Sequence, residues 1–378
     1  MSESKNTSII VLPKVKDGVE NKGILTFTLE DANVSIANAL RRTIISDIPT
    51  VVFDTSKENI HIFTNTCRLH NEILKQRLGC IPIYIKDPEG IENLMIEVDV
   101  NNQTENLLYV TTNNFTILNK TTDKYLTQEQ TNKIFPSNKF TNQYILFTRL
   151  RPKITNDIPG EIIKFEVNLK TDTAKKDGMY NVVSTCAYGN TEDKVEQHNQ
   201  WQSVAEQLES QGVPETKIDY ERKNWYTLQA KRFYIKNSFD FKIQTIGVFT
   251  NNEIIHKAIS ILNNKLDKII KNCQTESIEL NRESTAMNNS VDIKLVGEDY
   301  TIGKVIEYIL HEEDYKKNKT LNYVGFIKKH PHDDYSIIRI AFNDNDELDI
   351  NSDSNVYKML VFACEIGKNL FTNIKEYF

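Results

Sequence analysis

The sequence predicts an α+β protein in which two similar α/β units of one chain pair with each other, and a β-rich domain interrupts the first unit. Two observations favour this fold class: the presence of strand and helix patterns near both ends of the 378-residue chain, and the identical order of these patterns, with the strand period before the helix period. A third observation, a series of short β-like runs between Asn- and Thr-rich loops, predicts the interrupting domain.

Composition argues against several classes of protein. The formal net charge of -6 disfavours a broad electrostatic surface for nucleic acid. No apolar stretch is long enough to span a membrane, and the first residues lack the pattern of a secretory signal, so we expect neither a membrane segment nor secretion. The five cysteines are scattered without a CxxC pair, which favours free thiols in a reducing compartment.

The first unit begins with a strand and a helix. "GILTFTLE" alternates apolar and polar residues and predicts a half-buried strand over Gly23–Glu30. Ile36, Leu40 and Ile44 then recur every four residues, which predicts an amphipathic helix that ends at Pro49. "TVVFD" predicts a short strand.

The middle of the chain has a different residue pattern, with shorter apolar runs. Cys67–Ile85 predicts a helical segment that breaks at Gly79, and "LMIEVDV", "ENLLYVTT" and "QYILFTRL" predict short strands. "GEIIKFEVNLKTDTA" predicts a long strand, and Val195–Gly212 predicts a helix that its glycine closes. A strong amphipathic helix then ends the first unit.

These patterns predict the domain boundaries. We expect residues 1–53 and 160–272 to form the first α/β unit, residues 54–159 the β-rich insert, residues 273–290 a polar linker, and residues 291–378 the second α/β unit.

The starts of the two units can be compared directly. "LTFTLEDANVSIANALRRTII" and "VDIKLVGEDYTIGKVIEYIL" each contain a strand, an acidic pair, a hydroxyl residue, a small residue and a helix. We expect Thr301 to cap the helix of the second unit and acidic residues to favour its N-terminus. We expect Gly303 to let two backbones approach closely where the units meet.

The amphipathic helices indicate how the units would pair. Helices of one unit can cover those of the other about a pseudo-twofold axis, like an isologous dimer interface within one chain. The predicted seam consists of Ile36, Leu40, Ile44, Ile255, Ile259, Leu262, Leu266, Ile302, Ile306, Val356, Leu360 and Ala363.

Several motifs resemble a known family. "NVSIANALRRTIISDIPTVVFD", "LHNEILKQRLGCIPIYI" and "FKIQTIGVFTNNEIIHKAISILNNKL" are similar to the α-type assembly subunits of multisubunit RNA polymerases, such as the D-type subunit of archaea. "GEDYTIGKVIEYIL" and "VGFIKKHPHDDYSIIRI" resemble their smaller partner, the L-type subunit of archaea and its eukaryotic counterpart. A single fused chain of this kind is the arrangement in polymerases of some large cytoplasmic DNA viruses.

The resemblance implies a non-catalytic scaffold without a cofactor. It would bind the two largest, catalytic polymerase subunits and small polymerase subunits, without sequence-specific contact to nucleic acid. A viral origin would place it in the host cytoplasm, in viral factories, and in the virion.

Five residues in the matched motifs are candidates for contact with the large subunits. The adjacent Arg41 and Arg42 point about 100° apart on a helix, so at least one lies off the packing face. Their guanidinium groups can donate hydrogen bonds to carboxylates or carbonyls of a partner. Alternatively, they can form a weak ion pair within the chain, for instance with Asp47 or Glu30. The second group is Arg77, Gly79 and Pro82.

The second group also allows two interpretations. Gly79 can adopt a left-handed backbone conformation and Pro82 stiffens the exit from the helix, which suits a shaped contact with a partner. The same residues can simply form the turn that ends a helix.

Little in the sequence supports a metal-binding or catalytic site. His330, His332, Asp333 and Asp334 lack further ligands at suitable spacing, so we expect a loop and no metal. None of the common nucleotide-binding or hydrolase motifs occurs, so we expect no catalytic residue. The rival hypotheses are a hydrolase or nucleotide-binding enzyme with a dispersed site, and a DNA-binding transcription factor.

Overall fold

The computed structural model describes residues 8–155, 159–282, 287–343 and 352–378. The strands are β1 (Lys14–Asn21), β2 (Ile24–Glu30), β3 (Thr50–Phe53), β4 (Ile60–Asn65), β5 (Leu94–Asn101), β6 (Leu108–Thr111), β7 (Thr116–Asn119), β8 (Lys124–Tyr125), β9 (Leu146–Leu150), β10 (Ile162–Asp172), β11 (Val183–Glu192), β12 (Tyr234–Thr245), β13 (Leu280–Asn281), β14 (Ser290–Val296), β15 (Leu321–Ile327) and β16 (Tyr335–Phe342). The helices are α1 (Val34–Ser46), α2 (Asn71–Gly79), α3 (Gln128–Ile134), α4 (Lys194–Ser210), α5 (Glu215–Thr227), α6 (Asn251–Gln274), α7 (Tyr300–Leu310) and α8 (Asp353–Lys375).

The mixed α/β composition and the long helices agree with the sequence-based expectation. The predicted strand over Gly23–Glu30 is found as β2, and the helix that Gly212 closes is α4, with Gly212 at φ +71°. Strand β1 was not predicted, because its residues are mostly polar and exposed. Helix α5 was missed for the same reason, since it has no buried residue that would create a periodic pattern.

The chain divides into two compact units. The first contains the described residues up to Thr43, Thr185–Gln244 and the described residues from Ile255 onward. The second contains Ile44–Ser184 and Thr245–Ile254. The boundaries between the units therefore fall within α1 and near the start of α6.

The first unit holds two four-stranded sheets whose strands follow the same order. The front sheet has the order β1-β2-β12-β11, and the rear sheet has the order β13-β14-β16-β15. In both sheets the two central strands are each followed by a helix: α1 and α6 follow β2 and β12, and α7 and α8 follow β14 and β16. We call the front sheet with α1 and α6 the front half, and the rear sheet with α7 and α8 the rear half.

The second unit is built around an aromatic core. Its main sheet has the order β3-β10-β5-β7-β8, β4 also pairs with β10, and β6 and β9 form a separate ribbon. The Phe115 ring lies at the centre, 5.5 Å from Phe135, 5.8 Å from Phe147 and 6.3 Å from both Phe53 and Phe165 between ring centroids. Phe147 belongs to β9, so this core helps to position the strand that contacts the second group of candidate residues.

The predicted domain boundaries remain predictions. Strand β10 follows the predicted insert in sequence and pairs with β3, β4 and β5 inside the second unit. Residues 283–286 of the predicted linker and residues 156–158 of the predicted insert lie outside the described residues. None of the helices in the described part of the chain is long and apolar enough to cross a membrane.

Candidate protein-interaction site

Arg42, one of the paired arginines, contacts the start of the rear half's first helix. Its Nη2 lies 3.1 Å from Asp299 Oδ2, and its Nε donates to Thr301 Oγ1 at 2.9 Å. The side chain is 37% exposed, so the guanidinium is half-buried and still reaches the surface. Arg42 thus forms an ion pair with a distant residue, whereas the local sequence suggested Asp47 or Glu30.

The expectation that Thr301 caps α7 is wrong. The cap is Asp299, whose Oδ1 accepts the backbone N–H of Thr301 at 2.8 Å. The Thr301 hydroxyl accepts from Arg42 instead. A carboxylate is favoured at this position because it accepts a hydrogen bond and faces the positive end of the helix dipole.

Arg41, the second of the pair, stays close to its own helix. Its Nε and Nη2 both donate to Asn38 Oδ1, at 3.1 and 2.9 Å, and the side chain is half-buried. Burial raises the pKa of the Cys186 thiol to about 12, and the nearby charge of Arg41 only partly opposes this. The guanidinium of Arg41 therefore lies near β11 of the front sheet.

Gly303 makes room within the rear half rather than between halves. A Cβ at this position would lie 1.9 Å from Cε2 of Phe326, a residue of β15 in the rear sheet. The prediction of close backbone approach between the units at Gly303 is therefore wrong. The absent side chain lets α7 pack directly on the Phe326 ring.

Other contacts do join the front and rear halves. Leu266 of α6 packs against Gly367 of α8, where an added Cβ would lie 3.2 Å from Leu266 Cδ1. Asn263 Nδ2 donates to Thr372 Oγ1 at 3.2 Å. The Phe27 ring of β2 meets the Phe378 ring edge-on, with centroids 4.9 Å apart. These contacts place α6 beside α8.

Every residue of the predicted seam is buried. The twelve side chains lie on the apolar stripes of their helices, and none is more than 1% exposed. Burial agrees with a role in the contact between halves, and the assignment of each residue to that contact stays a prediction.

Arg77 of the second group is bonded to its own unit. Its Nε donates to the carbonyl oxygen of Phe147 at 2.7 Å, and its Nη2 donates to that of Leu146 at 2.9 Å. The arginine therefore ties α2 to strand β9. Both acceptors are neutral, so the positive charge is not compensated by these bonds.

Gly79 does not adopt the left-handed conformation that its position suggested. It is the last residue of α2, and it is not among the glycines with positive φ. A Cβ at Gly79 would lie 2.1 Å from Met179 Sδ. The absence of a side chain lets the Met179 thioether lie against the end of α2, and no left-handed turn occurs there. Pro82 follows, half-buried, between Ile81 and Ile83 of the core.

Comparison with known proteins assigns the chain to a family. Residues 26–266 match the RNA polymerase Rpb3/Rpb11 dimerisation domain, which covers more than half of the chain. The chain belongs to the Rpb3/Rpb11 dimerisation family. The resemblance to α-type polymerase subunits is thereby confirmed. The matched region begins within β2 and ends within α6, so it includes most of the front half and the second compact unit.

Three relatives of this Rpb3/Rpb11 family member are named as subunits of DNA-directed RNA polymerases. Subunit Rpo3 of a DNA-directed RNA polymerase from Pyrococcus horikoshii is 25% identical over 291 residues, which is 70% of this chain and 97% of the relative. Subunit RPAC1 of RNA polymerases I and III from Saccharomyces cerevisiae is 24% identical over 295 residues, 65% of this chain and 83% of the relative. Subunit rpac1 of RNA polymerases I and III from Dictyostelium discoideum is 44% identical over 69 residues, 18% and 19% of the two chains.

The family member's structure also contains contacts that the sequence did not reveal. Asp299 belongs to the acidic pair before the predicted helix of the second unit, and the preference for a carboxylate at the N-cap could have identified it as the cap. Local sequence patterns could not predict two other contacts, Asn263 with Thr372 and Asp267 with Lys368, because the partners are about a hundred residues apart in sequence.

The histidines near β16 form a turn in this family member. His332 N–H donates to His330 Nδ1 at 3.1 Å, and the His330 backbone N–H donates to Asp333 Oδ2 at 3.1 Å. Within the described ranges of the chain, no group of three or more His, Cys, Asp or Glu side chains is arranged to hold a metal ion.

Proposed function

We propose that this chain is a non-catalytic assembly subunit of a DNA-directed RNA polymerase, in which the front and rear halves pair as a pseudo-dimer and bind the two largest subunits. One observation carries the proposal. A chain of a dimerisation family contains a second sheet whose strand order and helix placement are those of the first.

The rear half can therefore take the place of a separate partner. A dimerisation domain leaves apolar helix faces that a second domain must cover. The contacts of Leu266 with Gly367 and of Arg42 with Asp299 support this role for the rear half. Covalent linkage makes the pairing intramolecular, which raises the effective concentration to roughly the millimolar range. We infer that the rear half corresponds to the smaller, L-type partner.

The candidate partner surface includes Arg41, Arg42, Arg77, Gly79 and Pro82. Arg41 suits a test best, because its guanidinium donates to Asn38 on the same helix, so its replacement should leave the pairing of the halves intact. Arg42 also supports α7, and Arg77 also supports β9. Their replacement therefore changes stability as well as any partner contact.

Affinity purification of the full chain from its native cells tests the proposal. We expect the two largest polymerase subunits to co-purify in fixed stoichiometry, with small subunits identified by mass spectrometry. Arg41→Glu is expected to reduce recovery of the large subunits at least about tenfold, since a lost charge-assisted contact is replaced by repulsion. Arg222→Glu, an exposed arginine on α5, is the matched control. Absence of polymerase subunits from the wild-type preparation contradicts the proposal.

Cleavage between the halves tests the pseudo-dimer separately. A protease site inserted between α6 and β13, where the front half ends and the rear half begins, allows the chain to be cut after folding. We expect the two fragments to co-elute in size-exclusion chromatography at micromolar concentration. Leu40→Asp, which places a carboxylate at a buried position, is expected to separate them. Separation of the unmutated fragments would contradict the pairing.

The fused order of the two halves leads to one further proposal. It is the arrangement that the resemblance implies for polymerases of large cytoplasmic DNA viruses, with the protein in viral factories and in the virion. Immunoblotting of purified virions against a lysate of uninfected host cells tests this origin. Detection in uninfected cells would contradict it.

A further inference from the structure

The second compact unit contains a groove that combines apolar walls with arginines. It has a volume of about 550 Å³ and lies where α2 meets β9. Leu69, Leu107, Leu146 and Phe147 contribute apolar surface, and Leu107 is 42% exposed. An exposed apolar wall in a concave site is typical of a binding surface.

The charge of the groove is unbalanced. Its lining includes four arginines, Arg68, Arg77, Arg149 and Arg151, but a single carboxylate, Glu161. Glu161 is already used, because its Oε1 lies 2.5 Å from Arg151 Nε and its Oε2 accepts the Arg151 backbone N–H at 2.7 Å. The groove therefore keeps an excess of about three positive charges in a chain whose net charge is -6.

The three remaining arginines have no acidic partner within the described ranges. Arg77 donates to backbone carbonyls, which leave its charge uncompensated. The guanidinium carbon of Arg149 lies 5.4 Å from the centre of the Tyr109 ring, a cation–π contact that orients the arginine. Arg68 is exposed. Two of the three guanidinium groups are thus held in place, which reduces the entropy lost on binding an anion.

We propose that this groove binds an acidic polypeptide segment of a partner protein, with a large apolar side chain between the leucines and carboxylates on the arginines. Charge complementarity and the apolar walls favour such a segment over nucleic acid, since a phosphate backbone would leave Leu107 and Leu146 without a partner. The inference concerns the second unit and does not depend on the pairing of the front and rear halves.

Fluorescence anisotropy with the full chain tests the inference. The probe is a fluorescein-labelled peptide with a central Leu-Phe pair flanked on both sides by glutamates. We expect saturable binding that weakens as salt rises, and at least about tenfold weaker binding of the same peptide with glutamine in place of glutamate. Equal binding of both peptides, or no binding of the acidic one at millimolar protein, overturns the inference.

Variants locate the site. Arg68→Glu and Leu107→Ala alter exposed side chains, and each is expected to weaken binding of the acidic peptide about tenfold or more. The matched control Arg222→Glu, in the first unit, should leave it unchanged. A thymidine oligonucleotide serves as the competitor. If it displaces the peptide and binds more tightly, the groove is a nucleic-acid site and the inference is wrong.

Discussion

Arg42 in α1 and Asp299 at the start of α7 are 257 positions apart in sequence, and their side chains meet at 3.1 Å. The same carboxylate caps α7 through the Thr301 N–H. A guanidinium beside a helix N-terminus would be repelled by the positive end of the dipole, and the Asp299 charge between them removes that conflict. One side chain thus supports both a helix and a contact between the halves.

Removal of the Asp299 carboxylate should therefore cost more than a cap alone. We expect Asp299→Ala to lower the free energy of unfolding by about 1–3 kcal/mol, since the cap contributes about 1 kcal/mol and the half-buried ion pair adds to it. Urea denaturation followed by circular dichroism measures the loss. Asp299→Asn is the matched control, because asparagine still caps but carries no charge, and it should lose less. Equal losses for both variants would show that the cap contributes nothing.

Gly303 should not tolerate alanine. Helix propensity alone predicts that Gly→Ala stabilises a helix by about 1 kcal/mol. The new Cβ would overlap the buried Phe326 ring, so we expect Gly303→Ala to destabilise the protein by about 1–3 kcal/mol. Thermal unfolding is the measurement. Gly189→Ala, with no atom within 4 Å of the added Cβ, should be close to neutral. Adding Phe326→Leu should recover part of the Gly303→Ala loss.

Arg77 is expected to contribute to stability whether or not it contacts a partner. Arg77→Ala removes two hydrogen bonds to β9, and we expect a loss of about 1–3 kcal/mol in the unfolding of the second unit. Arg68→Ala, an exposed arginine of the same unit, should stay within about 0.5 kcal/mol of the wild type. Hydrogen exchange of β9 amides reports the local effect. Unchanged protection of β9 in Arg77→Ala would contradict this role.

Glu253, at the start of α6, should make the free energy of unfolding depend on pH in the acidic range. Hydrogen bonds from Lys86 Nζ and from the Thr250 backbone hold the pKa of Glu253 at about 2, below its ordinary value of 4.5. A carboxyl with a lowered pKa in the folded state stabilises it above pH 4.5, and this contribution is lost as the pH falls from 4.5 to about 2.

Glu253→Gln tests the acid dependence. The difference in unfolding free energy between wild type and variant should be constant above pH 4.5 and shrink below it. Its size should be about 1 kcal/mol or less, because the side chain is 41% exposed and solvent screens the pair. Glu105→Gln, an exposed glutamate of the same unit, should show no such change. A constant difference down to pH 2 would contradict the assignment.

Periodic patterns predicted the elements that bury an apolar face, such as α1 and α6, because burial forces apolar residues to recur at the period of the element. The same reasoning missed α5 and β1, whose residues are largely exposed and carry no such pattern. At Gly79 and Gly303 the sequence indicated that a small residue mattered, but not why. The side chains that occupy the space of the absent Cβ atoms, Met179 and Phe326, come from other segments of the chain.

The amino-acid pattern alone was enough to predict the α+β class, the repeated order of strand and helix at both ends, and the resemblance to α-type polymerase subunits. These follow from local periodicity and from motifs that are contiguous in the chain. The folded chain was needed to show that Asp299 rather than Thr301 caps α7, that Arg42 pairs with Asp299, and that four arginines line one groove. Each of these depends on side chains whose positions and partners are set by packing, which local spacing does not encode.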